Sequence, residues 1–94
     1  MSILRDIYTI LLTLLKSERG NCISITSKKV SLYACKLRLN TSRSVWIHTR
    51  ILLEDAAKLY GINVRIERRR YCIIFYIEKG ELRKLLNKLE EVLG

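Results

Sequence analysis

The sequence predicts an α+β fold in one domain spanning residues 1–94, with elements in the order α-β-α-α-β-β-α. Three observations carry that prediction. Apolar residues recur at helical spacing in four segments: 3–17, 28–39, the stretch between Ser42 and Gly61, and 79–93. Apolar and polar residues alternate in Cys22–Ile25 and in Ile62–Glu67, and a β-branched and aromatic run follows from Tyr71 to Ile77. Between these segments lie capping and turn signals: Gly20-Asn21, Thr26-Ser27, Asn40-Thr41-Ser42, Gly61 and Arg68-Arg69-Arg70.

Helix one carries Ile3, Leu4, Ile7, Ile10, Leu11, Leu14 and Leu15 on one side, with Arg5, Asp6, Thr9 and Thr13 on the other. Lys16 and Arg19 suit its negative end, and Gly20-Asn21 closes it. Tyr8 and Leu12 widen the apolar face, toward the last helix or toward a second subunit. Cys22–Ile25 is short, as an edge strand paired with a later hairpin would be. Thr26-Ser27 then caps helix two, whose Val30, Tyr33, Ala34 and Leu37 share a face. Residues 28–39 also alternate like a strand, with Cys35, Leu37 and Leu39 against Lys36 and Arg38, so both readings stay open there.

Thr41 or Ser42 caps helix three. On a projection at about 100° per residue, Val45, Thr49, Leu52, Ala56 and Leu59 face the core, with His48 beside that stripe. Arg43, Ile47 and Arg50 point outward, and Trp46 sits on the flank. Glu54 continues the outward line and would repel a nearby phosphate, so contact with a polyanion should end near Arg50. Gly61 ends the helix, and two strands flank the arginine triplet as a hairpin with a basic tip. The C-terminal helix, residues 79–93, carries a stripe of Leu82, Leu85, Leu86, Leu89, Val92 and Leu93, suited to docking on helix one or to pairing two copies.

A formal charge of +9 and a pI near 9.8 favour a polyanionic partner, nucleic acid ahead of a membrane surface. Placement strengthens this, since seven basic residues and no acid lie between Arg19 and Leu53. Three cysteines lack the spacing of a zinc site and read as buried small residues in a reducing cytosol, hence a cytoplasmic protein. The N-terminal apolar run stops at Lys16, too short to span a bilayer and without a cleavage site. No cofactor motif, phosphate loop, nucleophile elbow, metal cluster or paired carboxylate occurs, so no enzyme is expected. The absence of Pro and Gln, with abundant Ile, Leu, Arg and Lys, fits a heat-adapted source.

The element order, together with Ala34, Leu37 and Leu39 before Asn40-Thr41-Ser42-Arg43-Ser44-Val45, resembles a winged helix-turn-helix domain over nearly the whole chain. The small basic archaeal members of that family are the nearest type. The resemblance implies that helix three enters a DNA major groove through Arg43, Ser44, Ile47 and Arg50. It also implies that Arg68, Arg69 and Arg70 form the wing and that Lys28 and Lys29 clamp phosphates. With Arg38 and Arg65 from the same basic stretches, these complete the candidate nucleic-acid-binding set. Residues Val45 to Leu89 also resemble the back half of a LAGLIDADG endonuclease-type domain, through the segments LLEDAAKLYGI and EKGELRKLL. That alternative implies the order αββαββα, with strands at 29–39 and 44–48. It departs from the family where an acid should end helix one, since only Glu18 of Ser17-Glu18-Arg19-Gly20 could serve.

These readings imply a nucleic-acid-binding protein acting on double-stranded DNA, with RNA left open, as a transcriptional regulator or small chromatin protein. The alternative is a non-catalytic interaction subunit of a larger replication, transcription or ribonucleoprotein complex, docking through Leu32, Cys35 and Leu39. A homodimer through helix one and the C-terminal helix is a further expectation.

Overall fold

The computed structural model describes residues 3–39 and 43–93. Its elements run α1 (Ile3–Ser17), β1 (Cys22–Ile25), α2 (Ser27–Lys36), α3 (Arg43–Leu59), β2 (Val64–Arg68), β3 (Ile73–Glu78) and α4 (Lys79–Leu93). The class is α+β: four helices and an antiparallel sheet of strand order β1-β3-β2. Residues 27–36 and 43–59 are helical, so the strands that the order αββαββα needs at 29–39 and 44–48 do not form.

Local chemistry explains how α2 begins and ends. Thr26 is extended, and its hydroxyl accepts the Lys29 N–H at 3.2 Å, satisfying one of the helix's leading donors. The helix stops at Lys36 rather than Leu39. Arg38 adopts φ +56°, its N–H donates to the Cys35 carbonyl at 3.1 Å, and the Leu39 N–H donates to the Ala34 carbonyl at 2.8 Å. This is the paired closure usually built on glycine, and Leu39 packs back on the core beside Ala34. The expected cap of α3 at Thr41 or Ser42 lies outside the described residues.

Strand register sorts the sheet into two faces. Ile23, Val64 and Ile77 align, as do Ile25, Ile66 and Phe75; this face meets the helices, with Ile23, Ile25, Phe75 and Ile77 buried. Ile7, Ile10, Leu11 and Leu14 of α1 and Leu82, Leu85, Leu86 and Leu89 of α4 complete one core. Each such side chain contributes about 1.5–3 kcal/mol when fully buried. The stripe on α4 is therefore covered within the chain, where the Tyr8 hydroxyl of α1 also donates to Glu90, while Val92 stays exposed.

Several expected placements are corrected. Leu59 is 72% exposed, and the buried row of α3 is Val45, Thr49, Leu53 and Ala56, because the helix has left the core by its last turn. His48 is exposed rather than beside the core, Asp6 is buried, and all three cysteines are free and exposed. The hairpin turn comprises Arg69–Cys72, closed by the Arg69 N–H on the Cys72 carbonyl at 2.8 Å, so Arg68 belongs to β2. Among the described residues, no helix is long and apolar enough to cross a membrane.

Candidate functional site

Glu54 ties α3 to the hairpin. Its Oε1 lies 3.5 Å from Arg50 Nε, one turn earlier on the same helix face, and 3.6 Å from Arg68 Nη2. Arg68 reaches it because its register partner is Ile73, which puts its side chain on the pleat of Ile66 and Val64, the face that α3 covers. Arg50 and Arg68, eighteen positions apart in sequence, thus share one side of the molecule.

Arg65 leaves β2 on the opposite face, where its guanidinium lies 5.4 Å from the centre of the Tyr76 ring. It stands apart from the cluster around Glu54. Beside it, Glu67 accepts the Tyr76 hydroxyl at 2.9 Å and pairs with Arg69 Nε at 3.4 Å. The Tyr76 hydrogen bond and then the Arg69 guanidinium hold the Glu67 carboxyl below its ordinary range. The same contacts with Glu67 push the Tyr76 hydroxyl and the Arg69 guanidinium up from theirs.

Between the hairpin tip, α3 and the start of α2 lies a cleft of about 350 Å³, bounded by Ser27, Trp46, Arg50, Arg69, Arg70 and Tyr71. Cys72 and Ile73 complete its lining. Trp46 is held in place by an edge-on contact with Phe75, ring centres 6.0 Å apart at 66°, so it packs and lines the cleft at once. Arg70 lies 5.5 Å from the centre of the Tyr71 ring and makes no ion pair among the described residues. Ser27 opens α2, whose leading N–H groups and positive dipole end favour an anion there. The arrangement offers oxyanion donors on three elements and two aromatic surfaces within one recess.

Lys28 is exposed beside Ser27 and carries no ion pair among the described residues. Lys29 is different. Its ammonium donates to the Glu18 carboxylate, to Ser24 Oγ at 2.9 Å and to the Ser24 carbonyl at 3.1 Å, which uses all three of its hydrogens. It is a structural tie between the end of α1, β1 and α2, and Glu18 is committed to it. Arg38 is exposed on the turn after α2, and Ile47 is 51% exposed on α3. The side chains of Arg43 and Ser44 lie outside the described residues. Sequence reasoning placed Trp46 on the flank of helix three, but did not find Ser27, Tyr71 or the bridging role of Glu54; for Tyr71 the signal was an aromatic residue directly after the arginine triplet.

Among the described residues, no group of three or more His, Cys, Asp and Glu side chains could hold a metal ion. No family model matches the chain, and comparisons with curated proteins and with solved structures return no match.

Proposed function

We propose that the protein binds double-stranded DNA as a winged helix-turn-helix domain, acting as a transcriptional regulator or small chromatin protein. The single observation that supports this reading is the shared Glu54 contact of Arg50 and Arg68, which brings the outer face of α3 beside the last residue of β2. The element order and the strand order β1-β3-β2 support the fold assignment. In this arrangement α3 enters the major groove with Ile47 and Arg50 leading. Arg68, Arg69 and Arg70 rest on the neighbouring phosphates, and Lys28 and Arg38 add contacts to the backbone.

Replacing Arg68, Arg69 and Arg70 together with Ala tests it. Every cation withdrawn from a phosphate lowers the slope of log affinity against log salt by about 0.9. Because Arg68 and Arg69 are partly compensated by Glu54 and Glu67, the expected total drop is about 1–3, and affinity falls for all duplex sequences alike. An unchanged slope removes the hairpin from the interface. Structured RNA assayed in parallel decides whether the partner is DNA or RNA.

A second reading, an interaction subunit of a larger nucleic-acid complex, is favoured by one observation: Leu32 is 51% exposed on α2, with Cys35 exposed beside it. Leu39 packs on the core and takes no part in that surface. Negligible binding to every nucleic acid at low salt, with solubility rescued by a co-purifying partner, would favour this reading over the first.

A further inference from the structure

We infer that the cleft between α2, α3 and the hairpin tip accepts one unpaired nucleotide of a nucleic-acid strand, its phosphate held by arginines and its base stacked on an aromatic ring. The inference deepens the duplex-binding reading by adding a recognition site for a junction between paired and unpaired strand. It rests on that reading.

The recess has the size and chemistry for such a ligand. At about 350 Å³ it lies near the lower end of small-molecule sites, a size that suits a single nucleotide. Its polar boundary holds cations from two elements, Arg50 from α3 and Arg69 and Arg70 from the turn, beside the positive dipole end of α2 at Ser27. Glu54 and Glu67 already satisfy Arg50 and Arg69 in part, leaving Arg70 as the guanidinium without an ion pair at the mouth. The other boundary is aromatic. Tyr71 is 88% exposed, the most exposed of the large apolar side chains among the described residues, and it already lies along a guanidinium. Trp46 is braced by Phe75 and so offers a ring whose orientation is set before any ligand arrives. Cations tracking a backbone beside rings that stack bases form the recurring arrangement of single-strand recognition, and the stacking tolerates any base because every base has a π-face.

A base inside a duplex cannot reach either ring, whereas an unpaired nucleotide at the edge of a duplex lying on α3 and the hairpin can turn into the recess. Trp46 is the sole tryptophan, so its fluorescence reports on α3 where that helix borders the cleft.

The experiment compares four probes with the whole protein: a blunt duplex, the same duplex carrying a short single-stranded extension at either end, the single strand alone, and a free nucleoside monophosphate. Affinity is read by anisotropy and occupancy of the cleft by Trp46 fluorescence. The extended duplex should bind about tenfold tighter than the blunt one, the worth of one stacked base, and should quench Trp46 beyond any change the blunt duplex causes. Tyr71→Ala, a change at an exposed ring that leaves the core intact, should bring the ratio of the two affinities close to one. Weak saturable quenching by the free nucleotide would assign the site to the nucleotide itself; quenching only by strands would assign it to a nucleotide within a chain. Equal affinities for blunt and extended duplex with the same Trp46 signal would overturn this inference and leave duplex binding standing. Tight binding of the single strand with none of the duplex would uphold the cleft and overturn the duplex reading. No binding of any probe would overturn both.

Discussion

Glu54→Gln should tighten binding to DNA, against the ordinary expectation that disrupting an ion-pair network weakens a protein's interactions. The Glu54 side chain is 31% exposed and touches Arg50 and Arg68, themselves 41% and 61% exposed, through a single oxygen. A phosphate drawn to the free edges of both guanidiniums comes to rest about 6 Å from that carboxylate. At an effective dielectric of about 40–80, suited to half-solvated groups, the repulsion is about 0.7–1.4 kcal/mol. Removing it predicts about three- to tenfold higher affinity at low salt, shrinking as ionic strength rises and screens the charge. The isosteric amide keeps an acceptor for both arginines, and two solvent-exposed ion pairs contribute below about 1 kcal/mol to stability. The assay is fluorescence anisotropy with one labelled duplex across a salt series, beside thermal melting of each protein. A folded variant that binds equally or more weakly would refute the reasoning. Glu54 would then be organising the two arginines for the partner, and orientation would outweigh repulsion.

Lys29→Met should lower stability by about 1–2 kcal/mol, because its bonds to Glu18 and Ser24 disappear, while leaving the salt slope of binding unchanged; a thermal melt and a salt titration check the two halves. Arg38→Gly should raise stability by about 0.5–1 kcal/mol, since glycine removes a left-handed strain of about 1–2 kcal/mol and gives part of it back in unfolded-chain entropy. If Arg38 also meets phosphate, the same variant loses affinity while melting higher. Glu67 has its carboxyl pKa lowered by folding, so its stabilising effect is present above the ordinary glutamate value of 4.5 and is lost as the pH falls through the depressed folded value. Carboxyl NMR should show Tyr76→Phe moving the Glu67 titration upward, and an unmoved titration would deny the hydrogen bond its leading part.

Residues with strong local signals were readable from the chain alone. The bounds of α1, β1 and α4 follow from helical spacing, from the Gly20 stop and from the alternation of Cys22–Ile25, and each forms where those signals stand. Elsewhere a three-dimensional cause competed with the local one. Arg38 hides a helix stop because its left-handed backbone is normally announced by glycine, and the expected helix therefore ran on to Leu39 through residues that also alternate like a strand. Leu59 satisfies the apolar stripe of α3, yet nothing remains for it to cover beyond Ala56. The turn starts one residue later and ends two residues later than the arginine triplet suggests, because Arg68 still finds a partner in Ile73, where the return strand begins. For the site, the outward stripe with Arg50 and the basic tip were legible, whereas their union through Glu54 was not, because a lone acid after a run of cations reads as the edge of a footprint. Lys29 and Arg65 share the charge of the cluster but not its location, a distinction only packing and pleat can draw.

Phe75 stands at the crossing of the sheet, opposite Ile25 on one side and Ile66 on the other. One of those neighbours is near in the chain and the other is remote, with two helices and a strand intervening. The hairpin can therefore zip early as a local event, whereas β1 must await closure of a long loop whose entropy is offset only when the remaining strand docks. During synthesis, β1 leaves the ribosome as an orphan edge and stays so until β3 has emerged. Conditions that slow elongation between Ile25 and Phe75 lengthen the interval in which another molecule's strand can take that place.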